Sequence, residues 1–115
     1  MSGKTRRILE SYADTRQSVL ILGEYGTGKD KAAAFIQSQS AYKSNPYCVI
    51  DCNTTNNKKW SYYMDHPDSP FNDLNSTIFI KDINVLNEAV AKKLFLYLKS
   101  NEGHRQNRFL FSYTI

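Results

Sequence analysis

The chain is poor in the residues that announce special chemistry. It has two cysteines in 115 residues, Cys48 and Cys52, four apart, with no CxxC pair and no histidine cluster beside them. Four ligands for a structural zinc ion are therefore not at hand. Cys48, inside the apolar stretch Tyr47-Cys48-Val49-Ile50, is expected to pack as a small hydrophobe. No apolar run approaches the roughly 20 residues that a membrane-crossing helix needs, and the polar start MSGKTRR is no secretory signal. A soluble, cytoplasmic domain is expected, with no membrane partner. Concentrated positive charge is also lacking. The formal charge is +4, but basic residues pair only at Arg6-Arg7, Lys58-Lys59 and Lys92-Lys93, so direct nucleic-acid binding is not expected. The length fits one domain, residues 1–115, and 41% hydrophobic with 23% charged residues argues against wholesale disorder.

What is present is a set of short apolar runs rich in β-branched and aromatic residues. They are Ser18-Val19-Leu20-Ile21-Leu22, Tyr47-Cys48-Val49-Ile50, Thr77-Ile78-Phe79-Ile80 and Phe109-Leu110-Phe111. Each is near-continuous rather than alternating, the mark of strands buried on both faces of a parallel sheet. Helical spacing separates most of them. Ile8, Leu9 and Tyr12 share a face over residues 4–13, Ala33, Phe35 and Ile36 over 29–41, and Val90, Leu94, Tyr97 and Leu98 over 87–100. Asn87 is placed to cap the last of these, Glu88 suits its positive end, and Gly103 lies just beyond it. The alternation predicts an α/β fold with right-handed crossovers. Between Asn53 and Ser76 the pattern fails, and an irregular excursion or short helix is expected across one end of the sheet.

Gly23-Glu24-Tyr25-Gly26-Thr27-Gly28-Lys29 follows the first strand and opens a helix. The spacing G-x-x-x-x-G-K is the P-loop pattern, in the strand–loop–helix setting that it requires. Glycines let the backbone curl so that successive N–H groups converge on a phosphate. The helix dipole and the Lys29 ammonium add positive charge. The usual hydroxyl residue after the lysine, which ligates Mg²⁺, is here Asp30. A carboxylate there repels phosphates unless a cation lies between, so anion binding is predicted more strongly than Mg²⁺ coordination.

These residues resemble a known family. Val19 to Asp30 is similar to the "VLI-GE-x-GTGKE" segment of the sigma-54-activating AAA+ ATPases, the bacterial enhancer-binding transcription regulators, which commonly carry an acidic residue after the lysine. Pro46 to Cys52 resembles their "PF-V-x-NC" strand, Thr77 to Ile83 their "TLFLDEI", 86–98 the helix that follows, and Arg108 to Thr114 their "RVIAATN". The resemblance implies a three-layer P-loop NTPase-like domain with a mainly parallel sheet, an AAA+ core without the lid. It further implies that the second strand lies at an edge and the first centrally. ATP or ADP would lie on Gly23, Glu24, Tyr25, Gly26, Thr27, Gly28, Lys29 and Asp30.

The departures matter as much. The family's Asp-Glu pair holds the Mg²⁺ water shell and polarises the attacking water. Here Lys81 falls on the first position and Asp82 on the second. An ammonium ~5 Å from Mg²⁺ costs several kcal/mol even at an effective dielectric of about 20. A shifted register makes Asp82 the metal ligand, but leaves Ile83 in place of the base. Because neighbouring residues of a strand point to opposite faces, Asp82 cannot serve both places. Asp82 is thus the one catalytic candidate, and Asp30 and Asp82 are the carboxylates in reach of a weakened Mg²⁺ site. Thr114 stands where the family's γ-phosphate-sensing Asn belongs. No "GAFTGA"-like loop falls between Asn53 and Ser76, which puts sigma-factor contact in doubt, and the chain stops at Ile115 without residues for a fifth strand, arginine fingers or lid.

Other residues invite weaker readings. Trp60, Tyr62 and Tyr63 beside Lys58-Lys59 fit either base stacking or the packing of a long loop onto the sheet, the commoner use. His66 and His104 lack partners and are read as solvated, and no Ser–His–Asp set can be assembled from Ser18, Ser112 or Thr114. Three functions remain. The first is a nucleotide-binding module of a transcription regulator with impaired hydrolysis. The second is a non-enzymatic interaction or dimerisation domain, partnered by itself or by other regulator domains. The third is an active ATPase completed by partner residues.

Overall fold

The computed structural model describes residues 18–39, 46–73, 75–100 and 107–115. Four strands, β1 (Val19–Gly23), β2 (Tyr47–Asp51), β3 (Thr77–Lys81) and β4 (Arg108–Thr114), form one sheet in the order β1-β4-β3-β2, and every neighbouring pair is parallel. Helix α1 (Lys29–Gln39) covers one face, and α2 (Asn57–Asp65) and α3 (Glu88–Ser100) cover the other. The α/β, three-layer reading of the sequence is the fold observed.

The two central strands show why their apolar runs are unbroken. Ile78 and Ile80 of β3 and Phe109 of β4 pack towards α2 and α3, with Trp60, Met64 and Leu94. Phe79 and Leu110, one residue out of phase, pack towards α1 against Ala33 and Ile36. Period-two alternation thus feeds two cores at once, and neither strand has a polar face to spare. On α3, the Asn87 side chain accepts from the Val90 N–H at 2.9 Å, the cap the sequence predicts.

Two expectations need correction. The first strand is not central: β1 lies at an edge, opposite β2, and no strand of the described residues pairs with its free side. Nor is it buried on both faces. Val19 and Ile21 meet α1, whereas Leu20 and Leu22 are 52% and 62% exposed, because α2 and α3 cover the inner strands rather than this edge. The stretch after Asn53 holds a short helix, one of the two forms expected for it. Asn56 caps α2 through a bond from the Lys59 N–H, and a short 3₁₀ turn follows at Pro70–Asn72. Helix α1 is described as far as Gln39, and the expectations for residues 4–13, 40–41, Gly103 and His104 lie outside the described residues.

The same stretch settles the aromatic cluster. Trp60 is buried in the core beside Met64 and Ile50, Tyr63 stacks on Phe71 with centroids 5.6 Å apart, and Phe71 meets Phe109 edge-on at 5.2 Å. These rings fasten α2 to the sheet. The base-stacking reading of Trp60 is overturned, because its faces are spent on the core. His66 is exposed and accepts at Nδ1 from the Asp68 N–H. Cys48 packs against the same core, and Cys52 is buried, its thiol pushed up to about 12 by burial first and then by Asp51 and Asp82.

Candidate functional site: a glycine-lysine loop facing a polar wall

In a parallel sheet the strands share a direction, so their C-terminal ends converge on one rim, where ligands of α/β folds bind. Here that rim holds a cavity of about 480 Å³ lined by Tyr25, Gly26, Gly28, Lys29, Asp30, Lys31, Asn53, Lys81, Asp82 and Thr114.

One wall is the loop between β1 and α1. Gly26 and Gly28 sit at φ 81° and 82°, in the left-handed region where side chains are strained. A Cβ on Gly23 would run into Thr27 Oγ1. The Glu24 carbonyl ties the turn together, accepting from the Thr27 N–H at 3.3 Å, from Thr27 Oγ1 at 2.8 Å and from Lys29 Nζ at 2.7 Å. Lys29 Nζ also reaches the Gly23 carbonyl at 3.3 Å. An ammonium carries three N–H donors. These two bonds fix Lys29 against the loop and leave a third donor for the cavity it lines. The leading N–H groups of α1 have no partner within the helix and add to this positive end. Of the residues singled out in the sequence, Tyr25, Gly26, Gly28, Lys29 and Asp30 face the cavity, while Gly23, Glu24 and Thr27 shape the loop behind it.

The opposite wall comes from the ends of β2, β3 and β4. Asp82 leaves β3 with φ 61° and ψ 55°, a left-handed conformation that costs a non-glycine residue about 1–3 kcal/mol and that aspartate tolerates better than most. This corrects the alternation argument. Lys81 ends the strand and Asp82 has already turned off it, so both line the same cavity instead of opposite faces. Three polar contacts hold the Asp82 turn. Its N–H donates to the buried Ser112 Oγ at 2.9 Å, Thr114 Oγ1 donates to its Oδ1 at 2.6 Å, and the Asn53 amide donates to its Oδ2 at 2.9 Å. Asn53 also donates to Asp51 Oδ1, and Asn84 accepts from the Thr114 N–H at 2.8 Å. Thr114, expected as a phosphate sensor, is bonded to Asp82.

Lys81 reaches across the cavity. Its Nζ lies 2.8 Å from Asp30 Oδ2, joining the end of β3 to the first turn of α1. The ammonium is held above its ordinary pKa by that hydrogen bond first; burial opposes the shift, and the charges of Asp30, Asp51 and Asp82 add to it. Both side chains are partly open to solvent, so the pair contributes little to stability. Its effect is on the cavity's charge.

This wall does not suit Mg²⁺. The ion wants an octahedron of oxygen ligands, and of the two carboxylates expected to serve it, Asp30 is engaged by an ammonium and Asp82 by Asn53 and Thr114. Among the described residues no group of three or more His, Cys, Asp or Glu side chains is placed to hold a metal.

The profile of the sigma-54 interaction domain matches residues 1–114. The chain belongs to that family. Over 49 residues it is 41% identical to the transcriptional regulator VasH of Vibrio cholerae, a stretch covering 43% of this chain and 9% of VasH. The fold matches the crystal structure of NtrX from Brucella abortus in complex with ATP, with a TM-score of 0.83 at 16% identity, over 97% of this chain and 30% of NtrX. It also matches the P-loop NTPase domain of a sigma-54 transport activator from E. coli, with a TM-score of 0.66 at 18% identity, over 97% of this chain and 75% of that one. As a sigma-54 interaction domain the chain is homologous to transcription-regulator ATPase domains, and it spans a minor part of VasH and NtrX. No helix among the described residues is long and apolar enough to cross a membrane.

Sequence reasoning missed Asn53, Lys31, Asn84 and the supporting role of Ser112. Each lies in or near the segment where a strand or helix meets the rim. A search for polar residues just after each apolar run would have found Asn53 and Asn84, but their partners are 29 and 30 residues away and depend on strand order.

Proposed function

We propose that this domain binds a nucleoside di- or triphosphate, ATP or ADP, on the loop from Gly23 to Asp30, and that it serves as a nucleotide-responsive module of a sigma-54-type transcription regulator with little or no hydrolysis of its own. The observation that carries this is the asymmetry of one cavity. The phosphate-gripping wall keeps its glycines, its lysine and its helix end. The hydrolytic wall offers Lys81 where a metal-anchoring carboxylate belongs. That NtrX crystallises with ATP and with ADP on a similar fold supports the choice of ligand. Asp82, with its two oxygens bonded to Asn53 and Thr114, remains the one candidate for orienting water.

The test is thermal. A ligand at 100 times its Kd stabilises a fold by about 2.7 kcal/mol, and each kcal/mol moves the Tm of a domain this size by about 4–8 °C. Saturable stabilisation by ATP or ADP that disappears in Lys29→Ala is expected. No shift at millimolar nucleotide overturns the reading.

A second reading, a non-enzymatic self-associating domain, is favoured by a different observation. Leu20 and Leu22 on the β1 edge and Phe95 on α3 are all more than half exposed. On that reading nucleotide leaves Tm unchanged, and sedimentation shows a concentration-dependent dimer that Leu22→Glu abolishes.

A further inference from the structure

We propose that Lys81, anchored on Asp30, is a built-in counter-cation that replaces the divalent metal of a P-loop site, so that the ligand taken here is the metal-free nucleoside polyphosphate. This rests on the nucleotide-binding reading above and specifies the form of the nucleotide.

Asp30 stands in the first turn of α1, next to Lys29, with its carboxylate at the cavity wall. An uncompensated carboxylate there opposes a polyphosphate, and in an ordinary P-loop site the neighbouring position helps carry the metal that offsets phosphate charge. Here the offset is supplied from β3. The Lys81 ammonium lies 2.8 Å from Asp30 Oδ2, and the two residues are 51 apart in sequence. The residues that line the cavity include three lysines, Lys29, Lys31 and Lys81, against two aspartates, Asp30 and Asp82, with Asp51 behind Asn53, so no excess of negative charge calls for an ion there. The Asp82 charge is already counted in this balance, and its two oxygens each accept one hydrogen bond, from Thr114 and from Asn53. A divalent cation entering this corner would have to displace an ammonium from its carboxylate and then sit beside it. A nucleotide that arrives with Mg²⁺ meets charge repulsion, and one that arrives without it finds its counter-charge in place. Lysine is suited to the task because its charge sits at the end of a flexible stem and swings between a carboxylate and a phosphate without changing protonation.

The experiment measures Kd for ADP and ATP by calorimetry on the whole chain, in EDTA and in millimolar Mg²⁺, for the wild type, Lys81→Met and Lys81→Asp. For the wild type, affinity in EDTA is expected to equal or exceed that in Mg²⁺. Lys81→Met is expected to weaken binding in EDTA by tenfold or more. Lys81→Asp is expected to weaken it further and to regain affinity when Mg²⁺ is added, reversing the metal dependence. Wild-type binding that requires Mg²⁺ overturns this proposal and leaves nucleotide binding standing, as does a folded Lys81→Met protein that binds in EDTA like the wild type. Absence of binding in both buffers overturns the nucleotide reading and this one with it. The wild-type comparison needs no variant, so a substitution that fails to fold does not blunt the test.

Discussion

The two walls of the cavity are built in different ways. The loop wall is made mostly of main chain: two glycines in the left-handed region, a carbonyl at Glu24 that gathers three donors, and one lysine bonded to that carbonyl. The opposite wall is made of side chains at the ends of three strands, Asn53, Lys81, Asp82 and Thr114, each reaching a partner on another element. A main-chain cradle is specified by a few glycines, and its donors are the same whatever the side chains are. A side-chain wall changes character with one substitution. On the function proposed above, the loop wall serves binding and the side-chain wall bears on turnover, so the two are separable by mutation.

The largest expected effect tests the cradle directly. Lys29→Ala removes a charged donor worth about 1.5–3 kcal/mol to a phosphate, a loss on the order of 10- to 100-fold in nucleotide affinity by titration calorimetry. An equal loss from Thr114→Ala would put the gripping function on the wrong wall. Next comes Gly23→Ala, whose Cβ meets Thr27 Oγ1. Crowding of this kind typically destabilises by about 1–3 kcal/mol. Chemical denaturation should show that loss, and Gly23→Ala/Thr27→Ala should recover part of it by deleting the oxygen in the way.

A smaller effect is expected on chemistry. Phosphate release by the wild type with ATP and Mg²⁺ should match buffer, and Lys81→Asp/Asp82→Glu should raise it above that baseline. Release by the wild type at ordinary ATPase rates would show that the side-chain wall is not impaired. The last effect is alkaline. The Cys52 thiol is pushed up from 9.0 to about 12 and the Tyr47 phenol from 10.0 to about 12, each by burial first. Between those limits the unfolded chain has released protons that the folded chain keeps, so stability should decline from about pH 9 to pH 12. Cys52→Ala should flatten the lower part of that decline in urea-denaturation midpoints. It should leave the midpoint's pH dependence below pH 8 unchanged.

Much of the fold was legible in local pattern. The unbroken runs at Thr77-Ile78-Phe79-Ile80 and Phe109-Leu110-Phe111 announced strands covered on both faces, and both proved central. The same kind of run at Val19-Leu20-Ile21-Leu22 misled, since Leu20 and Leu22 are exposed along an edge. An apolar run records that a strand is hydrophobic and says nothing of what lies over it. The aromatic trio at Trp60 was ambiguous for a similar reason. Only the position of α2 against the sheet decides that Trp60 fills a core.

The sequence by itself determined the phosphate cradle, because its glycines, its lysine and the helix that follows are contiguous and their geometry is set by neighbours within seven residues. Only the tertiary structure decided what that cradle faces. Strand order brought Lys81 to Asp30 across 51 residues, and the left-handed turn at Asp82 set Lys81 and Asp82 on one cavity. Local backbone preference acts over a few residues, whereas an ion pair between β3 and α1 forms only once the sheet has assembled and the helix has packed onto it.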